Sequence, residues 1–156
     1  MYDIENYYNA ETIKEAVTLL KEHPDARVIS GGSDVLIKIR EGKMAGTSLV
    51  SIRDIKEIKG IRQMESGDIY IGAGTTFSHV TNDPVIQKLI PVLGEAVDQV
   101  GGPQVRNIGT IGGNVCNGAV SADSAPTLFF TECHAADCRW NWWTDGSHQG
   151  FLSGTW

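Results

Sequence analysis

Two glycine pairs are the residues of this sequence best suited to hold a ligand. The first pair lies in VISGGSDVLIKI, residues 28–39, and the second lies in TIGGN, residues 110–114. A glycine pair lets the backbone turn through conformations closed to other residues and lets another molecule approach the main chain closely. Free backbone N–H groups in such a turn bind anions. The pairs therefore indicate a ligand-binding site, although glycine pairs also serve plain turns.

The overall charge restricts the kind of ligand and partner. The 156 residues include 13 basic and 19 acidic side chains, which give a net charge of -6 and a pI near 5.1. A nucleic-acid-binding protein needs a basic surface, so we expect no nucleic-acid partner. An anionic ligand must then be held mainly by backbone N–H groups and not by a cluster of lysines and arginines.

The sequence carries no targeting or membrane pattern. The amino terminus lacks a basic segment followed by an apolar one, and no apolar run approaches the roughly 18 residues that span a bilayer. The cysteines Cys116, Cys133 and Cys138 are odd in number and unevenly spaced, which argues against a disulfide framework. We therefore expect a cytoplasmic protein without a membrane partner.

Common nucleotide-binding and hydrolase motifs fit poorly. GAGTTF, residues 72–77, ends in Phe77, where a dinucleotide-binding fingerprint needs a small residue. GGSDVLIK lacks the Gly-Lys-Ser/Thr ending of a P-loop. Ser33 stands beside Asp34, but no histidine partner is identifiable from the sequence. The absence of acid–base residues favours redox chemistry over hydrolysis, because electron transfer needs no such pair.

A metal site is not predicted either. Cys-x4-Cys alone is a loose pattern, no second pair has zinc-finger spacing, and a plant-type iron–sulfur cluster would need a cysteine where Asn141 stands. The residues considered are Cys133, His134, Cys138 and His148. We interpret them as unrelated residues of an aperiodic segment.

The first half of the chain alternates helix and strand. Thr12 and Glu15 have capping-box spacing, and apolar residues follow at helical intervals, which predicts an amphipathic helix over residues 12–22. The same patterns predict a strand over 26–30, an amphipathic segment over 35–39, a strand over 47–52 and a helical turn at 55–58. The first glycine pair is thus expected between a buried strand and a helix.

The second half mixes other elements. Residues 60–64 and 68–73 alternate in polarity around a Glu-Ser-Gly turn, which predicts a β-hairpin. Residues 75–102 predict two short helices punctuated by Pro84 and Pro91. Because the chain mixes helices and strands without one regular alternation, the sequence predicts the α+β class.

The ordered set of motifs resembles a known family. The composite GPQVRNIGTIGGNVCNGAVSADSAPTL, residues 102–128, together with VISGGSDVL and the intervening GAGTTF, is similar to the FAD-binding subunit of molybdenum hydroxylases, with xanthine dehydrogenases the most similar branch. The resemblance covers residues 1 to about 129. It implies the two-subdomain FAD-binding fold of the vanillyl-alcohol-oxidase and molybdenum-hydroxylase type. The domain would span 1–130, with a small parallel-sheet α/β subdomain over 1–58 and an antiparallel-sheet subdomain beginning over 59–130.

The resemblance also implies a set of cofactor-binding residues. The first loop would comprise Val28, Ile29, Ser30, Gly31, Gly32, Ser33, Asp34 and Val35, and the second Thr110, Ile111, Gly112, Gly113 and Asn114. Two facing glycine turns would hold the FAD pyrophosphate from two sides with backbone N–H groups. Asp123 would accept hydrogen bonds from ribityl or ribose hydroxyls, and Ile111 would lie near the isoalloxazine ring.

A mechanism and partners follow from the same resemblance. A molybdopterin subunit would oxidise the substrate, an iron–sulfur subunit would carry the electrons, and FAD in this subunit would pass them to NAD. The role of the protein would be to bind and tune the flavin. The substrate would therefore be set by another subunit.

The family pattern stops near residue 130. The segment 130–156 contains all four tryptophans and no lysine, and it shows neither helical nor strand periodicity. We expect that residues 131–156 do not pack as the family's strands do, because the chain is truncated or frameshifted there, with the family's C-terminal part missing. This leaves open an alternative, a non-enzymatic nucleotide-binding or assembly module.

Overall fold

Two sheets and a series of short helices make up the described part of the chain, which is residues 2–118, 122 and 124–131 of a computed structural model. Within these residues one sheet is parallel with three strands, and the other is antiparallel with two. The predicted α+β class is confirmed. Asp123 and residues 132–156 lie outside the described residues, so the predictions that fall on them stay predictions.

The parallel sheet is built from the first 51 residues. Its elements follow one another as β1 Ile4–Asn9, α1 Ile13–Glu22, β2 Arg27–Ile29, α2 Val35–Arg40 and β3 Thr47–Ser51. The spatial order is β1, β3, β2, so the central strand is β3, in which Leu49 and Val50 are buried. Parallel strands need crossover connections, which α1 and α2 supply. The residues that follow β2 therefore lie at the carboxyl edge of this sheet.

Helix α1 forms where the sequence predicts it. The Thr12 hydroxyl accepts a hydrogen bond from the Glu15 N–H at 3.2 Å, and the Glu15 carboxylate accepts one from the Glu11 N–H at 2.8 Å. Strand β1 was not predicted. Its sequence IENYYN lacks apolar alternation and most of its side chains are exposed, because backbone pairing to β3, and not an apolar face, stabilises this edge strand.

The next segment contains the hairpin. A 3-10 turn at Lys56–Ile58 precedes strands β4 Ile61–Gln63 and β5 Ile69–Ile71, which pair antiparallel with Ile61 opposite Ile71. Both the helical turn and the hairpin are confirmed. Residues 75–102 hold three helices within the described chain and not the predicted two: α3 Phe77–Asn82, α4 Pro84–Leu89 and α5 Pro91–Asp98. Each proline occupies the first helical turn, where its missing N–H is not needed, so both prolines begin helices.

The segment around the second glycine pair is also helical. Helices α6 Pro103–Ile108, α7 Ile111–Asn117 and α8 Ser124–Phe130 follow α5. The prediction of a glycine turn at residues 110–114 is wrong, because Thr110 caps α7 and both Gly112 and Gly113 lie inside the helix. The Thr110 hydroxyl accepts the Gly113 N–H at 3.1 Å, which stabilises a helix start despite the glycines.

Apolar packing divides the described chain into two regions. In the region of the parallel sheet, small clusters form around Ile29, Ile39 and Leu49 and around Ala10, Ala16 and Ile55. The larger cluster joins Phe77, Val80, Ile86, Leu93, Val97, Ile111 and Leu128. This division supports the subdomain boundary near residue 58, which stays a prediction.

Candidate functional site

The first glycine segment presents a run of amides that have no acceptor in the described part of the chain. The N–H groups of the five residues 31–35 donate no hydrogen bond to any residue that the structure describes. Helix α2 also begins without a side-chain cap, whereas threonine side chains cap α1, α3 and α7. Gly32 has a φ of +75°, which other residues rarely adopt, so it sets the turn. The arrangement offers several donors to an anion at the carboxyl edge of the sheet.

The first segment touches the second one. A Cβ on Gly31 would lie 1.9 Å from the Ile108 carbonyl oxygen, so only glycine permits this approach. The Thr110 hydroxyl donates to the Ser30 Oγ at 3.4 Å. Residues 80 positions apart in sequence are thereby brought together. The two predicted segments thus meet at one place in the fold.

Four amides of the second segment, those of residues 111–114, are already bonded within the protein. The Ile111 N–H donates to the Thr75 carbonyl at 3.0 Å, and the Gly112 N–H donates to the Ala73 carbonyl at 2.9 Å. The Gly113 N–H is taken by Thr110, as described above. The expectation that this segment also offers free backbone N–H groups is therefore wrong for residues 111–114. Thr110, Ile111, Gly112, Gly113 and Asn114 stay predicted cofactor contacts, but through side chains, carbonyls and close approach.

Gly112 has a packing role that the sequence did not reveal. A Cβ at this position would lie 2.6 Å from the Ala73 Cβ and 2.7 Å from the Ala73 carbonyl oxygen. The first turn of α7 therefore packs against the GAGTTF segment, residues 72–77. The Gly74 N–H holds this surface in place by donating to the Ile58 carbonyl at 2.7 Å. The motif thus supports the second segment within the fold.

Asn114 and its neighbourhood tie α7 to α8. The buried Ser124 hydroxyl donates to the Asn114 Oδ1 at 2.5 Å. Asp123, the predicted ribose or ribityl acceptor, immediately precedes Ser124 but lies outside the described residues. The Asn114 amide oxygen is therefore occupied within the protein, and its amide nitrogen is the group left to donate to a ligand.

Lys38 links the first predicted segment to the last residue of α7. Its ammonium group lies 2.6 Å from the Asp34 carboxylate and donates to the Asn117 Oδ1 at 3.0 Å. Asp34 belongs to the first segment, and Asn117 is the last residue of α7. No local sequence pattern marks this link, because its partners are 79 positions apart.

A cleft of about 190 Å³ opens where the two segments meet. Its lining includes Ser30 and Thr110 from those segments and two basic side chains, Arg53 and Lys59. Sequence reasoning missed both, since neither belongs to a recognised motif. The pKa shifts in this structure lie elsewhere: a hydrogen bond from exposed Lys43 lowers the pKa of Glu41, and Glu41 raises that of Lys43.

The family is identified by comparison with known proteins. The sequence pattern of the family described as "FAD binding domain in molybdopterin dehydrogenase" matches residues 2–136. The chain belongs to this family. The predicted resemblance is therefore confirmed, and FAD is the cofactor of this family.

Relatives and solved structures agree. The chain is 41% identical over 131 residues to the xanthine dehydrogenase FAD-binding subunit of Escherichia coli O157:H7, covering 83% of the chain and 45% of the relative. It is 36% identical to the nicotinate dehydrogenase FAD-subunit of Eubacterium barkeri, covering 82% and 43%. A carbon monoxide dehydrogenase structure from Hydrogenophaga pseudoflava superposes with a TM-score of 0.72 at 34% identity, covering 76% and 41%. The chain spans less than half the length of each.

The described residues show neither a metal-binding cluster nor a membrane-spanning helix. The described residues hold no group of three or more side chains able to bind a metal ion, while Cys133, His134, Cys138 and His148 lie outside them. No helix in the described part of the chain combines the length and apolar character needed to cross a bilayer.

Proposed function

We propose that this chain is the FAD-binding part of an electron-transfer subunit of a molybdenum hydroxylase of the xanthine dehydrogenase type. The observation that carries the proposal is the run of five amides over residues 31–35 that have no acceptor among the described residues, beside the segment 110–114, in a chain of the FAD-binding family. Electrons would arrive from the iron–sulfur subunit of the complex and leave to NAD. Substrate oxidation would belong to the molybdopterin subunit.

The residues fit a bound FAD at the pyrophosphate. Its two phosphates need many donors, and consecutive amides after a strand supply them without a basic side chain. The proposed contacts in the first segment are Val28, Ile29, Ser30, Gly31, Gly32, Ser33, Asp34 and Val35. The Ser33 side chain has no partner among the described residues, so its hydroxyl is available to a phosphate oxygen.

The second segment would orient the remainder of the cofactor. Ile111 is buried and Asn114 is fixed by Ser124, so both have defined positions. Asp123 is proposed as the acceptor for ribityl or ribose hydroxyls. Bound FAD supplies the two-electron chemistry that links one-electron iron–sulfur carriers to a hydride acceptor. The role of this chain is to hold the flavin in one orientation.

The names of the relatives support the proposal that the substrate is bound by another subunit of the complex. Related FAD subunits and medium chains belong to enzymes named for xanthine, nicotinate and carbon monoxide. Xanthine and nicotinate are nitrogen heterocycles whereas carbon monoxide is a diatomic molecule, yet the chains share this domain. We therefore propose that the domain performs the common electron-transfer step, and that the substrate is determined by another subunit.

Flavin titration of the full chain tests the cofactor site. Gly32→Ala places a side chain at a φ of +75°, and the control Gly46→Ala does the same at +70° in open space. Each substitution costs about 1–2 kcal/mol of stability through backbone strain. We expect only Gly32→Ala to weaken FAD binding, by about tenfold, because it moves the amides. A chain that takes up no FAD, or equal loss in both variants, would contradict the proposal.

NAD as acceptor needs a separate measurement. The flavin-loaded chain, reduced with dithionite and freed of excess reductant, is mixed with NAD under nitrogen. We expect the flavin absorbance to return as NADH absorbance at longer ultraviolet wavelengths appears. Flavin that stays reduced with NAD but reoxidises with oxygen would show that NAD is not the acceptor.

A further inference from the structure

The cleft between the two segments has a charge opposite to that of the whole protein. The chain has a net charge of -6, yet Arg53 and Lys59 line the cleft and no aspartate or glutamate among the described residues does. His79 also lines it, with its Nε2 3.5 Å from the Asp83 carboxylate. The cleft is therefore a local positive region in an acidic protein.

Within the described part of the chain, the two basic side chains of the cleft form no ion pair. Neither Arg53 nor Lys59 pairs with a carboxylate of the described residues. Asp54, next to Arg53, instead accepts a hydrogen bond from the Asn9 amide at 3.0 Å, and Glu57, two residues before Lys59, accepts one from the Ile13 N–H at 3.3 Å. Both side chains therefore keep their donors for a ligand.

Neutral donors surround the same space. Ser30, Thr76 and Asn107 line the cleft. The Asn107 Oδ1 accepts the Ser78 hydroxyl at 2.6 Å, which leaves the Asn107 amide nitrogen as a donor. An arginine fork, an ammonium and neutral donors together suit an anion with several acceptor oxygens, which a phosphate group has and a chloride ion does not.

We propose that this cleft is a phosphate subsite, held by Arg53 and Lys59, for a phosphate-bearing ligand that reaches the site beside the first glycine segment. It is distinct from the amides of residues 32–35, because only Ser30 and Gly31 of the first segment line it. The phosphate has two possible sources: the flavin itself or a second nucleotide. The proposal deepens the proposed function, on which the choice of source rests, and the test separates the two.

Binding of inorganic pyrophosphate to the full flavin-free chain is the direct test. The double variant Arg53→Gln with Lys59→Gln removes both charges from the cleft. Its matched control, Arg27→Gln with Lys56→Gln, removes the same kinds of charge from exposed residues that do not line it. We expect the cleft variant to weaken pyrophosphate binding at least about tenfold, measured by calorimetry, and the control to change it less than about twofold.

FAD and ADP titrations of the same variants identify the source. A cleft variant that loses affinity for ADP but keeps that for FAD assigns the subsite to a second nucleotide. One that loses affinity for FAD assigns it to the flavin. Both results support the phosphate subsite.

Equal pyrophosphate affinity in the cleft variant and the control overturns the proposal. FAD binding by the unchanged chain separates this failure from that of the proposed function. If the unchanged chain binds FAD and the cleft variant binds pyrophosphate as well as the control does, the phosphate subsite is wrong and the proposed function stands. If the unchanged chain binds no FAD but the cleft variant has lost pyrophosphate affinity, the proposed function is wrong and the phosphate subsite stands. The single variants Arg53→Gln and Lys59→Gln, each at an exposed position, keep the test decisive if the double variant does not fold.

Discussion

Single glycines in this chain have different roles that the sequence does not distinguish. Gly32 sets a left-handed turn, Gly31 allows contact with the Ile108 carbonyl, and Gly112 allows α7 to lie against Ala73. Gly113 faces only the Thr110 hydroxyl, 2.9 Å from an added Cβ. The two members of the second pair therefore differ in how much a side chain would cost.

Gly112→Ala is expected to destabilise the protein. The new Cβ would overlap Ala73 backbone and side-chain atoms, and such overpacking costs about 1–3 kcal/mol. Urea unfolding followed by circular dichroism measures the loss. The neighbouring variant Gly113→Ala is the control, because its clash is with a side-chain oxygen and alanine favours a helix by about 1 kcal/mol. Equal losses in both variants would show that the Ala73 contact is unimportant.

At the level of elements, the site depends on how α2 is held against α7. Among the described residues, Lys38 supplies the side-chain link between them, through Asp34 on one side and Asn117 on the other. The ion pair is about half exposed, so its own contribution to stability is small. We expect the Lys38 link to matter mainly because it orients α2, and with it the amides of residues 31–35 at the start of that helix.

Lys38→Met is expected to loosen α2 without unfolding the protein. Loss of a part-exposed hydrogen bond and ion pair costs about 0.5–1.5 kcal/mol, and faster amide exchange over Val35–Arg40 would report it. Lys43→Met is the control, since Lys43 pairs only with Glu41 just beyond the helix. FAD affinity should fall in Lys38→Met alone. Unchanged exchange in α2 would exclude a positioning role for Lys38.

The sequence predicts those elements whose signals are local. Thr12 and Glu15 lie in one turn, and the hairpin turn joins adjacent runs, so α1, β4 and β5 were found. Strand β1 depends on pairing with β3 about 40 residues later, as Ile4 opposite Thr47 shows, and no local pattern marks it. The sequence predicts a turn in place of α7 because glycine disfavours helices. The Thr110 cap and the packing of Gly112 against Ala73 compensate for the glycines, and the Ala73 contact exists only in the folded protein.

In the candidate site, too, local sequence patterns predict some residues and the fold alone brings in the others. The first glycine segment was found because strand, turn and helix follow one another directly. Arg53 and Lys59 were missed, since they approach the cleft only through the fold. The second segment was found by family resemblance, while the use of its amides inside the protein follows from contacts with residues 73–75.

For the molecule as a whole, the cofactor segments lie where the two apolar regions meet. Gly31 follows the parallel sheet and Ile108 belongs to the helical region, and their backbones touch. A ligand that contacts both segments therefore holds the two regions together. Its binding energy adds to the stability of the entire fold.

FAD is expected to raise the melting temperature, and riboflavin much less. FAD at one hundred times its dissociation constant stabilises the folded state by about 2.7 kcal/mol, which for a chain of this size corresponds to a shift of about 5–10 °C. Riboflavin lacks the phosphates that the amides of residues 31–35 are proposed to bind. Differential scanning calorimetry compares the two ligands at equal concentration. Equal shifts would mean that the phosphates contribute nothing.

The backbone contacts between residues 73–75 and α7 also set an order of events in synthesis. The parallel sheet is complete once residue 51 has been made, but the Gly112 amide cannot reach the Ala73 carbonyl until almost forty further positions beyond Ala73 are in place. Closing a segment of that length has an entropic cost that only the finished contacts offset. We therefore expect the sheet to form before the cofactor site in a growing chain, and flavin loading to wait for the emergence of α7.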